Sequence, residues 1–294
     1  MKNNKNYPVL KEYLVGKYII GIADNMGPRI LKFAFKDCPE KNLFGILPGF
    51  GMETEEGLWR IHGGHRLWTA PEETPRSYSL DDKPVRVDAK KEYIKISGNT
   101  EIQNSVQKEI VVRKSGRASI EVFHVIKNTG RWTIQLACWA LTVMKKGGFA
   151  VLPIKRGKKG LLPDRRIVLW PYTDISDSRI VMEKDFIFLR QDEKVSAPCK
   201  IGISANPSWT AYWADGMLFV KKFVPEQGIC PDYGCSVEAY TNSEMLELET
   251  LGTMKSLEPG QSVQHREIWS ILKMPSLIPS QADLEKKLGK RFCG

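Results

Sequence analysis

The stretch CSVEAYTNSEMLELETLG, Cys235 to Gly252, holds two short runs in which apolar and polar residues alternate, separated by Asn242 and Ser243. Alternation over so few residues is the signature of a half-buried strand, and the polar break between the runs predicts a hairpin. A two-residue turn at Asn242 and Ser243 would pair Thr241 with Glu244, Tyr240 with Met245 and Glu238 with Glu247. Strand periodicity then sets Leu246 and Leu248 on one face and Glu247 and Glu249 on the other, so that Glu238, Glu247 and Glu249 share one surface. Opposed carboxylates repel, so the surface must face solvent, meet basic groups or hold a proton. Solvent exposure requires nothing further; the functional alternative makes one glutamate a general base.

The same period runs through most of the 294 residues, in segments such as KYIIGIA, RILKFAF, QKEIVVRK, ASIEVFHVIKN, WTIQLACWALTV and VQHREIWSIL. So many strands without helices between them predict an all-β fold of two large antiparallel sheets packed face to face. No repeat or linker divides the chain, so a single domain over 1–294 is expected, with 1–6 as a tail. The exception to the β pattern is a terminal helix over 280–291, capped by Ser280 with Asp283 three residues on. Hydrophobic residues make up 42% and charged residues 27%, an ordinary globular balance with enough apolar content for a sizeable core.

A second informative stretch is IHGGHRLWTAPEE, Ile61 to Glu73. It sets His62 and His65 beside paired glycines, Arg66, Trp68 and Glu72. Histidine titrates near neutrality, and glycines admit a close backbone approach, so a binding wall and a tight structural turn are both open readings. Of the remaining histidines, His124 shares a strand face with Ile120, Val122 and Ile126 and reads as a core group, and His265 as internal or half-exposed. The spacing in HGGH is not that of a helical zinc pair, and no metal or cofactor is expected. Phosphate-loop, dinucleotide and hydrolase-elbow motifs are absent. Trp59 and Trp68, and Trp209, Tyr212 and Trp213 in WTAYWADG, offer flat faces that suit a polyhydroxylated ring, although core packing explains any one of them equally well.

The formal net charge of +10 is concentrated in Lys145 to Arg166, with eight basic residues against Asp164 alone. Without a nucleic-acid motif this segment reads as a solvated loop, and nucleic acid is the disfavoured partner. The six cysteines lack zinc or disulfide spacing and read as reduced, with a Cys230–Cys235 bridge as the minor alternative. No apolar run reaches the roughly 20 residues of a membrane span, and MKNNKNYPVLKEY has no signal-like segment, so a cytoplasmic protein is expected.

In order along the chain, these features resemble the galactose mutarotase-like superfamily of aldose 1-epimerases and hexose-6-phosphate epimerases, in a divergent branch. IADNMGPRILKFAFKDCPEKNLFGI, with Gly27 and Asn42, is similar to the opening strands. HGG at His62 to Gly64 is similar to the Leu-His-Gly-Gly segment, and LET at Leu248 to Thr250 to the late Leu-Glu-Thr, followed by the turn in LEPGQSVQHREIW. The resemblance implies a β-supersandwich that binds a sugar or sugar derivative on a concave sheet. It implies Glu249 as the base of anomer exchange and His62 as the contact to the ring or anomeric oxygen. His65, Arg66, Trp68, Glu72, Glu238 and Glu247 would bind substrate. One departure matters: where the family carries a second histidine, LACWALTVM has Trp139. Carbohydrate binding is therefore expected, with aldose 1-epimerase chemistry as one outcome and a noncatalytic sugar-binding or interaction protein as the other.

Overall fold

The computed structural model describes residues 10–154, 157 and 160–289. Two ten-stranded antiparallel sheets dominate it. The first runs in the order Leu10–Val15, Tyr18–Ala23, Arg29–Phe35, His65–Ala70, Ile134–Met144, Leu246–Leu251, Val237–Thr241, Cys199–Ile203 and Ile167–Leu169, with Lys255–Leu257 pairing beside Ile134–Met144. The second is centred on Trp209–Ala214, Met217–Phe223, Ser262–Lys273, Ser119–Asn128 and Val106–Ser115. A separate two-stranded ribbon, Ile46–Thr54 with Gly57–Gly63, completes the β structure.

Period two explains the layering. Along Ser119–Asn128 the residues Ile120, Val122, His124 and Ile126 are buried while their neighbours are half-buried or exposed, as a strand with one core face requires. Ile134–Met144 is buried on both faces. Leu136, Cys138 and Met144 join the main core between the sheets, and Ala137, Trp139, Leu141 and Val143 join a second apolar cluster with Trp59, Ile61 and Trp68. That second cluster lies on the opposite face of the first sheet and underlies the candidate site.

Asn42 pins the opening strands. Its Oδ1 accepts the N–H groups of Phe33 (3.0 Å) and Phe44 (3.1 Å), and its Nδ2 donates to the carbonyls of Leu31 (2.8 Å) and Phe44 (3.1 Å). Asn42→Ala should lower the unfolding free energy by about 2 kcal/mol, because partly buried backbone groups lose their partners. A urea titration checks this.

Three sequence expectations are corrected. The Glu238-containing hairpin pairs Thr241 with Leu246 and Glu238 with Glu249, because Asn242 to Met245 form a four-residue loop closed by Asn242 N–H to the Met245 carbonyl. Asn242 Oδ1 fixes that loop by accepting the N–H groups of Glu244 and Met245. The register is thus displaced by two residues, which leaves every side chain on its expected face. Next, Phe149–Pro153, inside the segment read as a basic loop, is a fully buried strand of the second sheet; its apolar run Phe-Ala-Val-Leu decides the matter. Lys155, Arg156, Lys158 and Lys159 lie outside the described residues. Finally, the terminal helix covers Gln281–Leu288, shorter than expected. Ser280 makes no side-chain cap; Asp283 instead accepts the Ile278 N–H and pairs with Lys287. The expected tail over 1–6 and the last helical positions, 290 and 291, lie outside the described residues. Cys230 and Cys235 are free thiols.

Candidate functional site

The crossing from the ribbon into the first sheet is made by HGG. His62, Gly63 and Gly64 take three successive positive φ values of 51°, 90° and 66°. A Cβ on Gly63 would strike the Gly45 carbonyl and one on Gly64 the Ile30 carbonyl, so both positions require glycine. Arg29, fully buried, ties this crossing down: its Nη1 donates to the carbonyls of Ile61 (2.8 Å) and Gly63 (2.9 Å), and its Nη2 meets Asp81 at 2.5 Å. The tight structural turn is therefore the reading that the backbone of HGG supports.

From that crossing the two histidines part. His62 is buried and does not line the cleft described below, and its pKa falls to about 4 through burial and the nearby Arg29 cation. His65 faces the other way, into the space between the sheets, because it alternates with Arg66. Its Nδ1 accepts from Thr142 Oγ1 (2.9 Å) and its Nε2 donates to His124 Nε2 (2.7 Å). His124 Nδ1 in turn donates to the His265 carbonyl (3.0 Å), an order of protons that keeps both rings neutral. Burial lowers the pKa of each, in line with neutral rings. His65 is thus corrected from a sugar contact to an interior group.

The same interior cluster holds Lys221 and Glu267, both fully buried and 2.8 Å apart. Lys221 Nζ also donates to the Ala140 and Leu248 carbonyls and to Thr142 Oγ1, and Trp269 Nε1 donates to Glu267 at 2.6 Å. His65, His124 and Glu267 bring ligand atoms within 4.8 Å of one another, but there the Lys221 ammonium already balances the carboxylate.

On the opposite face of the first sheet is a cleft of about 390 Å³. Arg66, Trp68, Glu72, Glu247 and Glu249 line it, together with aromatic walls that the sequence reading did not assign: Tyr78, Trp139, Trp170, Tyr172 and Tyr240. Trp59, Trp68, Tyr78 and Trp139 form a contiguous set of tilted and edge-to-face rings, with centroids 5.1–5.5 Å apart. Trp209 and Tyr212 do not belong to it; they are core residues of the second sheet, with Trp213 half-buried beside them.

Charges at the cleft come in pairs. Arg66 Nη1 lies 2.7 Å from Glu247 Oε1, and its guanidinium rests 4.5 Å from the Trp68 ring. Lys200 Nζ sits 2.7 Å from Glu238 Oε2 and 3.2 Å from Glu249 Oε2, between the rings of Trp139 (4.6 Å) and Trp170 (4.5 Å). Trp139 Nε1 donates to Glu249 Oε2 at 2.8 Å. Glu72 accepts from the Tyr78 hydroxyl. Burial pushes Glu238 well above the usual carboxylate range and Glu249 upward as well, Lys200 opposing both. Burial opposes the charge on Lys200, but Glu249 and Glu238 outweigh it and hold the ammonium protonated. The three-glutamate surface foreseen from the hairpin exists, and it is compensated by basic groups rather than by solvent.

Lys200 is the residue that sequence reading missed. Its signal was a lone charge in CKIGI, a strand otherwise apolar on both faces.

A galactose mutarotase-like protein from Lactobacillus casei ATCC 334 superposes with a TM-score of 0.56 at 8% identity, covering 90% of this chain and 100% of that one. The GalM/aldose epimerase homologue from C. elegans gives 0.55 at 9% identity, with 91% and 99% covered. A TPR-domain containing protein from Parabacteroides distasonis ATCC 8503 gives 0.60 at 10% identity, over 92% of this chain and 48% of that one. The chain has the galactose mutarotase-like fold. No family model matches the sequence, and no curated protein does. Within this mutarotase-like fold Trp139 stands on the central strand of the first sheet, its indole directed to Glu249. Among the described residues no helix is long and apolar enough to cross a membrane.

Proposed function

We propose that the cleft binds a sugar or sugar derivative. The observation that carries this is the combination of broad aromatic faces with buried, internally paired Arg66, Lys200, Glu247 and Glu249, since a sugar ring offers apolar C–H faces and hydroxyl edges to match. The solved structures of this fold described as mutarotase-like or as an aldose epimerase homologue support the same reading. Titration calorimetry with a panel of aldoses tests it. Glu249→Gln should weaken the best ligand about tenfold or more, the worth of one hydrogen bond to a charged group, with a native circular-dichroism spectrum and a cooperative melting transition showing that the variant is folded. Aldose affinity that Glu249→Gln leaves unaltered would remove Glu249 from the site.

A second reading is anomer exchange, favoured by one observation: Glu249, the residue that the LET resemblance marks as base, lies in the cleft with a pKa raised by burial. Glu249 would take the anomeric hydroxyl proton. No histidine lines this cleft among the described residues, so the proton for the ring oxygen would come from another group of the lining, of which the Lys200 ammonium, 3.2 Å from Glu249, is one. Proton NMR of freshly dissolved single-anomer aldoses decides the matter. Acceleration over buffer that disappears in Glu249→Gln establishes exchange; binding without acceleration leaves a noncatalytic sugar-binding protein.

A further inference from the structure

We infer that the ligand of this cleft carries a positive charge and is an aldose bearing a free amine. The inference rests on the sugar-binding reading above and adds a charge preference to it. The cleft lining holds three carboxylates, Glu72, Glu247 and Glu249, against two cations, Arg66 and Lys200. Both cations are already committed. Arg66 is clamped to Glu247, and Lys200 lies between Glu238 and Glu249 with an indole on either side. A phosphate or carboxylate entering here would find both cations of the lining already paired with carboxylates and would meet the Glu72 carboxylate, which is exposed and accepts from the Tyr78 hydroxyl.

The walls point the same way. Much of the lining is aromatic, and the negative quadrupole of a ring face attracts cations. Two protein cations already exploit them, with Arg66 on Trp68 and Lys200 on Trp139 and Trp170. A chain with a formal net charge of +10 thus keeps a pocket of the opposite sign. An amino sugar supplies an ammonium for Glu72 and the aromatic walls, and keeps hydroxyl groups for the paired side chains of the cleft.

Titration calorimetry at pH 6.5, where the sugar amine is protonated, compares glucosamine and galactosamine with glucose, galactose, their N-acetylated amino forms and glucose 6-phosphate. The amino sugars should bind about tenfold more tightly than the neutral parents, as expected for one desolvated cation–π and carboxylate contact. N-acetylation, which removes the charge, should abolish the advantage, and the 6-phosphate should bind more weakly than either. Glu72→Gln, at an exposed position, should cost the amino sugars at least threefold more affinity than it costs the neutral aldoses. Neutral or phosphorylated sugars binding as tightly as the amino sugars would overturn the charge preference and leave the sugar-binding reading standing. Absence of binding by every sugar in the panel, with the protein shown to be folded, would overturn both.

Discussion

Glu267→Gln should lower the unfolding free energy by about 3–5 kcal/mol, because it leaves the Lys221 ammonium without its counter-charge between the sheets. Both side chains are fully buried, so water cannot compensate the loss. Glutamine keeps the shape and can still accept from Trp269 Nε1, which isolates charge from packing. Lys221→Met should cost a comparable amount for the mirror reason. The combined Lys221→Met/Glu267→Gln variant should recover most of the stability, since neither charge then remains alone in the core. Urea unfolding of the four proteins gives the coupling directly. A Glu267→Gln cost under about 1 kcal/mol would show that Lys221 sheds its proton and that the pair is not ionised.

Acidification should produce the other large effect. Burial lowers His265 to about 3 and His62 to about 4, and lowers His65 and His124 as well. In the unfolded chain these groups titrate near 6.5. Between 6.5 and these lower values the unfolded state binds protons that the folded state refuses, so stability falls as pH falls. The contribution is fully present above pH 6.5 and is lost progressively toward pH 4 and below. His265 alone accounts for about 3 kcal/mol by pH 4, taking 1.36 kcal/mol per unit. Glu267, held near 2 by Lys221 despite burial, adds a further loss below the ordinary carboxylate range. Glu238 works in the opposite direction: its raised pKa favours the protonated folded state and offsets part of the loss. The net expectation is a urea midpoint that drops steeply from pH 7 to pH 4. A flat profile would mean that the interior histidines are already protonated at neutrality.

The fold was legible wherever one face of a strand is buried and the other is not. His124 in ASIEVFHVIKN was read correctly as a core residue because Ile120, Val122 and Ile126 share its face. Phe149–Pro153 was hidden because its apolar run is short and flanked by basic residues, and composition over a wide window masks a strand of five. At the site, the hairpin gathered Glu238, Glu247 and Glu249 correctly even though the pairing was misjudged by two residues. Histidine misled. The paired glycines drew His62 and His65 together on paper, whereas three positive φ values and strand alternation turn both away from the cleft. Lys200, Trp170 and Tyr172 could not be placed beside Glu249 from local pattern, because strand neighbours distant in sequence bring them there.

The strand Ile134–Met144 acts as a septum one residue thick between two ionic chambers. Trp139 on one side reaches Glu249, while the Ala140 carbonyl and Thr142 hydroxyl on the other hold the Lys221 ammonium. The strand residues between these chambers are buried, so the field of Glu249 crosses the sheet and, with Glu267, opposes the burial that lowers the Lys221 pKa. Loss of the Glu249 charge in the cleft therefore removes one of the fields that hold Lys221 protonated, so the two chambers are linked on the alkaline side, where that ammonium titrates, and not on the acid side.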